Sequence, residues 1–192
     1  TYIIKEYMVT YPEVTLIVKI ATTLELMGMM EKGLLDIIIL LDRKVFSSNW
    51  EVHFEKEERI VFFCSPKHPM ANKQVSLVDV SKEKFLLTEK GCNYRQVFEE
   101  LLAEQRLEVN HCLDIGSTNT IIDYAKDELG ISLLPEFNLK EGLQNHTISE
   151  ISVNDCNIVL YIQVIFNKHR WMSPSMKAFL SITSKYFYHT GP

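Results

Sequence analysis

No stretch of this sequence is long and apolar enough to cross a membrane: the longest candidate, Leu34 to Leu41, is interrupted by Asp36. No basic segment leads into an apolar stretch and a small-residue cleavage site, so nothing argues for secretion and a cytoplasmic protein without membrane attachment is expected. The four cysteines, Cys64, Cys92, Cys112 and Cys156, form no C-x-x-C pair. The histidines His53, His68, His111, His146, His169 and His189 make no metal-ligand spacing with them, so reduced thiols and no metal site are expected. The sequon Asn145-His146-Thr147 would matter only in a secretory compartment. Positive charge is also short. Twenty Lys and Arg face 25 Asp and Glu, for a net charge of −5, and the densest cluster, Glu55 to Arg59, is mostly acidic. A duplex-binding domain draws its affinity from neutralised phosphates, so the chain as given is not expected to hold DNA by itself. There is no G-x-S-x-G elbow, H-E-x-x-H pair or Walker A loop. The expectation is a protein with no catalytic residues and no cofactor.

What is present is an ordinary globular composition, with 46% apolar and 23% charged residues over 192 positions. That length suits one large domain or two small lobes. Ile3, Ile4, Tyr7, Met8 and Tyr11 fall at helical spacing up to Pro12. Val14, Leu16, Val18 and Ile20 alternate as in a strand. Thr22, with Glu25 three residues on, predicts a capping box for a helix bearing Leu26, Met27 and Met30, and Gly33 is its stop. Asp36 to Leu41 reads as a buried strand, completing an α-β-α-β opening.

Trp50 to Glu57 and Arg59 to Ser65 read as a strand pair, followed by a polar stretch from Pro66 to Asn72. A second β-α-β-α-β set follows: strand Phe85–Thr88, a helix capped by Asn93 with Gln96 at the box position, strand Val109–Ile115, a helix capped by Ser117 or Thr118 and ended by Gly130, and strand Ile131–Leu134. Asn138 to Asn145 reads as a polar loop, before strands Ile148–Val153 and Ile158–Phe166 and a last helix opened by Ser173-Pro174. Two βα sets predict two lobes: residues 1–65, then 66–145, with 146–192 returning to complete the first. The two chain crossings, near 65–72 and 138–148, suit a hinge that closes on a ligand.

Four stretches resemble one family. Tyr11-Pro12-Glu13-Val14 followed by Gly33-Leu34-Leu35-Asp36-Ile37-Ile38-Ile39 is similar to the "yPeV … G.lDlai" pattern of LysR-type transcriptional regulators. His68-Pro69-Met70-Ala71 resembles that family's "HPLA" turn, and Gly116-Ser117 with Gly130-Ile131-Ser132-Leu133-Leu134-Pro135 its "GS … GlGia.lP" segment. Trp171 to Phe179 resembles the closing helix. Each motif is weak alone; their order over nearly the whole chain is specific. The resemblance implies an effector-binding regulatory domain with an α/β, two-lobed periplasmic-binding-protein-like (type 2) fold. Each lobe would be a mixed sheet flanked by helices, joined by a double-crossing hinge. It implies a small-molecule effector held between the subdomains of a homodimer or tetramer. Promoter DNA would be held only through a winged helix-turn-helix; that part, a linker helix and a first strand are expected to precede this segment.

In open α/β sheets ligands sit beyond the carboxyl ends of strands, where helices begin. Those points are Thr22-Thr23, Cys92-Asn93-Tyr94 and Gly116-Ser117-Thr118, with Pro135 at a further strand end. Each offers hydroxyl or amide groups beside helix N–H donors, which favour a small anion. The resemblance points to the same turns; the plain alternative is that they are only caps. Cys92 beside a helix start also allows a redox sensor, with Cys112 as a partner in space, although a free thiol is the commoner case. His68 reads as a structural turn residue, and Met27, Met29 and Met30 as core filler. The resemblance implies dimerisation through Ile3, Ile4, Tyr7 and Met8 of the first helix against Ile121, Ile122 and Tyr124. Two rivals share the fold: a transport-type solute-binding protein and an enzyme, the latter lacking a nucleophile–base set in these turns.

Overall fold

A computed structural model describes residues 2–189, apart from the side chains at 111, 112, 188 and 189. In chain order its elements are α1 (Tyr2–Thr10), α2 (Thr23–Glu31), β1 (Ile37–Asp42), β2 (Trp50–Cys64), β3 (Gln74–Val75), α3 (Leu77–Ser81), β4 (Lys84–Thr88) and α4 (Asn93–Glu104). They continue with β5 (Asn110–Ile115), α5 (Thr118–Lys126), β6 (Ser132–Pro135), α6 (Glu136–Gln144), β7 (Ser149–Val153), β8 (Ile158–Asn167) and α7 (Pro174–His189). The chain divides into two compact units, residues 1–56 with 162–192, and residues 57–161.

In the first unit β8 lies between β1 and β2. Three apolar clusters hold it together: Met30, Ile38, Leu40 and Ile165; Phe54, Val164, Phe166 and Leu180; and Ile3, Tyr7 and Ile182. The Phe54 ring stacks on Phe187 at 4.7 Å, and Tyr7 meets Phe179 edge-on at 5.2 Å. Helix α7 starts as the Ser173-Pro174 pair predicts, the Met176 N–H donating to Ser173 Oγ at 3.1 Å.

In the second unit β2 is flanked by antiparallel β6 and β7, and β7 pairs with β3 in parallel. Parallel β4 and β5 join β6 through Ile131, which bridges Phe85 and exchanges 2.9 Å hydrogen bonds with the backbones of Lys84 and Leu86. Phe62, Phe85 and Phe98 pack ring to ring, with centroids 5.2–6.5 Å apart, and α4 thereby docks on this sheet.

Several expectations change. Residues 50–64 form one continuous 15-residue strand and not a hairpin pair. The units divide inside strands, at 56/57 in β2 and 161/162 in β8, whereas the sequence reading put the crossings in polar stretches. Strand β7 stays with the second unit. Val14 to Ile20 alternates as a strand but belongs to no strand. A ladder needs a neighbour, and β1 ends the sheet order on that side among the described residues. A groove of about 520 Å³, lined by Val14, Leu16, Val18, Ile37 and Ile39 among others, lies there instead.

Residues 138–144 belong to helix α6, and Asn145 is its C-cap. Its start is capped from afar: the Phe137 N–H donates to the buried Glu58 carboxylate at 2.9 Å.

Helix α5 ends at Lys126 with Asp127 as its C-cap, and the stop is made by Glu128, not by Gly130. Glu128 has a φ of 63°, and the Leu129 N–H returns to the Tyr124 carbonyl at 3.1 Å, closing a Schellman turn. Gly33 fills the equivalent place after α2 with a φ of 71°. An L-residue in this left-handed conformation is strained by about 1–2 kcal/mol. Glu128→Gly should therefore stabilise the chain by roughly 0.5–1 kcal/mol after the entropy of glycine is charged against it. A urea titration with an unchanged or lowered midpoint would contradict that.

Candidate functional site

The parallel register of β4 and β5 sets Thr88 opposite Ile115, so both strands end at one edge and α4 and α5 begin there side by side. This brings together two of the predicted turns, Cys92-Asn93-Tyr94 and Gly116-Ser117-Thr118. A Cβ at Gly116 would meet only the Glu89 carboxylate, 2.7 Å away at Oε1, the free end of a flexible side chain that can turn aside. Ser117 caps α5 as expected, its Oγ accepting from the Thr120 N–H at 3.4 Å. Helix α4 differs. Cys92, not Asn93, is its N-cap and makes no side-chain hydrogen bond to it. Gln96 donates instead to Glu100 Oε1 at 3.0 Å, so no capping box forms.

Arg95 holds the two strand ends together and escaped the sequence reading. Its side chain is buried, and Nη1 donates to the Thr88 carbonyl and to Asp114 Oδ1. Nε donates to Glu99 Oε1 at 2.7 Å. Burial opposes the charge, but the hydrogen bonds that Arg95 donates to the Glu99 and Asp114 carboxylates raise the guanidinium's pKa above its ordinary value. The Arg95–Glu99 spacing was the available sequence signal; Asp114 was not, because only the β4–β5 pairing brings it near. Burial, then the Cys92 thiol, pushes the Tyr94 hydroxyl upward, so it remains a protonated donor at neutral pH.

In the first unit Thr22 forms its full capping box. Its N–H donates to Glu25 Oε2 at 2.9 Å and its hydroxyl to the same oxygen at 2.7 Å. The hydroxyl bond and then the backbone bond from Thr22 lower the Glu25 pKa, so a carboxylate already occupies the α2 start. Thr23 is half-buried in the first turn. Pro135 is buried opposite Ile60 in the β2–β6 ladder and N-caps α6, which matches a strand terminator.

Of the residues named for a dimer interface, Ile3 and Tyr7 are buried against α7, with the Tyr7 hydroxyl donating to the Ser175 carbonyl at 3.1 Å. Ile121 is buried within its own unit. These three cannot meet a partner while packed as they are. Ile4 and Ile122 are half-buried; Met8 and Tyr124 are exposed, as are Tyr2 and Val9.

His68 is a turn residue: Nδ1 accepts from the Met70 N–H at 3.2 Å, and Nε2 lies 3.6 Å from Glu83 Oε2. Burial pushes the Cys64 thiol up to about 12 and the Cys156 thiol up to about 11, so both are unreactive at neutral pH. Cys92 is half-buried and free, while the Cys112 side chain lies outside the described residues. Among the described residues no three His, Cys, Asp or Glu side chains are grouped to hold a metal, and no helix is long and apolar enough to cross a membrane.

Residues 1–187 match the family described as "LysR substrate binding domain". The chain is 32% identical over 188 residues to the uncharacterized HTH-type transcriptional regulator YwqM of Bacillus subtilis, covering 96% of this chain and 63% of that protein. It thus spans a little under two thirds of that relative. Its fold matches the regulatory domain of CcmR from Synechocystis in complex with 2-PG, with a TM-score of 0.76 and 18% identity over 96% of this chain and 89% of that one. It also matches the effector binding domain of QuiR in complex with shikimate, with a TM-score of 0.73 and 16% identity over 100% of this chain and 91% of that one.

Proposed function

Because the chain belongs to the LysR substrate-binding domain family, we propose that it senses a small anionic metabolite and reports its presence to the remainder of a cytoplasmic transcription regulator. The observation that carries this reading is the pair of adjoining helix starts in the second unit, one of them without a side-chain cap. First-turn N–H groups from two helices, aimed at one edge, attract a carboxylate or phosphate by direct bonds and by dipole. Cys92, Asn93, Tyr94, Gly116, Ser117 and Thr118 are the proposed contacts. Thr22 and Thr23 at the α2 start are proposed as further contacts. Shikimate, a carboxylate, and 2-PG in the related domains belong to the same oxyanion class. The turns supply no nucleophile–base pair, which supports binding without turnover. Association into a dimer or tetramer is proposed through the exposed part of α1 around Met8, with Ile4 at its margin, and the Ile122–Tyr124 side of α5. DNA contact is assigned to the rest of the regulator, since the net charge of this chain is −5.

Thermal melts of the purified chain against hydroxy acids, dicarboxylates and sugar phosphates, with shikimate and 2-PG included, test the reading. A true effector at a hundredfold its Kd should add about 2.7 kcal/mol of stability, a rise in Tm of roughly 5–10 °C for a chain of this size. Ser117→Ala should weaken that effector about tenfold by removing a hydroxyl at the α5 start. A panel without a single concentration-dependent shift would sink the proposal.

A further inference from the structure

The groove beside β1 has the outline of one absent strand. One wall is every residue from Val14 to Lys19 and the other every residue from Leu34 to Ile39, with Tyr7 of α1 and Phe179 of α7 closing one side and Leu26 of α2 the other. Along the first wall Val14 and Leu16 pack on the α1–α7 cluster while Thr15 and Ile17 stay exposed, the period of two that a strand has. Yet no main-chain group from Thr15 to Ile20 has a hydrogen-bond partner among the described residues. On the far wall β1 is paired on one side only, to β8. Two edges without a ladder thus border one apolar groove, an arrangement that folded proteins rarely leave open.

The placement of the helices identifies the occupant. Helix α2 connects the Val14–Ile20 segment to β1 and packs through Met30 on the face that carries Ile38 and Leu40. Helix α1 packs with α7 on the opposite face, the one that carries Ile37, Val164 and Phe166. Crossovers between parallel strands are right-handed, so two of them on opposite faces run in opposite directions across the sheet. A strand leading into α1 therefore lies on the β1 side of Val14–Ile20, which is the groove. Residues 2–13, a helix and a turn, also have the length of about a dozen residues that such a crossover needs. We propose that the groove is filled by a parallel strand of roughly six residues, supplied by the stretch of the same polypeptide that runs directly into α1. The match takes up 63% of YwqM, which leaves ample further chain in a regulator of that length. With helices on both faces, the strand should be a continuous run rich in valine, isoleucine and leucine. None of this depends on the effector-binding reading, since it concerns the framework of the first unit.

Hydrogen exchange tests this in three forms: the whole regulator, residues 1–192 alone, and residues 1–192 preceded by about ten of the protein's own residues. The groove-facing amides of Thr15–Lys19 and Ile37–Ile39 should exchange at least about 100-fold more slowly in the first and third forms than in the second. Excising the same ten or so residues from the whole regulator should remove that protection. Fast exchange at Thr15–Lys19 in the whole regulator would overturn the proposal, whether or not the shorter chains fold. Protection that survives the excision would give the groove to another domain or partner, and would overturn it as well. So would protection that appears in residues 1–192 only as their concentration rises, together with a dimer in sedimentation, because a second copy would then be the occupant.

Discussion

Replacing Phe98 with alanine is expected to cost about 3–5 kcal/mol of folding stability. The ring is fully buried in α4 and packs against Phe62 at 5.4 Å and Phe85 at 5.2 Å. Those partners come from β2 and β4, so the ring joins a helix to two strands that are not consecutive in the chain. Truncation removes the transfer free energy of a large aromatic side chain, and strands on both sides resist collapse into the space. The aromatic pairs add a smaller term, about 0.5–1.5 kcal/mol each. Phe98→Leu should cost much less, since most of the volume is kept. Urea denaturation followed by far-ultraviolet circular dichroism measures both variants. A Phe98→Ala loss below about 1.5 kcal/mol would mean that this cluster is not central to the second unit. The consequence for binding is direct: Phe98 lies one turn beyond Arg95, so loosening α4 also loosens the clamp on Thr88 and Asp114.

Gly130→Val should cost about 3 kcal/mol, for a reason unlike the usual one for glycine. Gly130 is not among the residues with positive φ. A Cβ there would stand 2.5 Å from the Lys84 carbonyl oxygen and 3.3 Å from Leu86 Cγ. The Lys84 carbonyl accepts the Ile131 N–H at 2.9 Å, the bond that ties β4 to the Ile131 backbone. Backbone on both sides leaves no flexible end to yield, so the added carbons must push the two segments apart. Hydrogen exchange gives the sharper readout. The amides of Ile131 and Leu86 should lose protection in the variant, whereas those of α7, in the first unit, should not. Unchanged protection at Ile131 and Leu86 would refute this account of the glycine.

The resemblance to the regulator family rested on local strings, Tyr11 to Val14, Gly33 to Ile39, His68 to Ala71 and Gly130 to Pro135. Those strings suffice because caps, turns and strand starts are encoded within a few residues. Thr22 with Glu25, Ser117 at the α5 start and Ser173 before Pro174 all cap as their spacing says. The misreadings share the opposite property. Helix α6 looked like a polar loop, because Glu58, which satisfies its first turn, lies 79 positions away. Asn93 looked like a cap by residue type, but the chain enters the helix one residue earlier, at Cys92. Glu128 gave no sign of a helix stop, since a non-glycine residue in the left-handed conformation has no distinctive string.

What the amino-acid order determined by itself is the class of protein: an α/β chain with paired βα sets, acidic overall, bearing the motifs of one regulator family. Short-range chemistry suffices for that, because periodicity, capping and charge are properties of neighbours in the chain. Only the tertiary structure decided which groups share a site. It set Arg95 against Asp114, turned Ile3, Tyr7 and Ile121 inward, and made Gly130 a contact. Each of these depends on which distant strand or helix lies alongside. That choice is made by the packing of the whole core, which no window of the sequence contains.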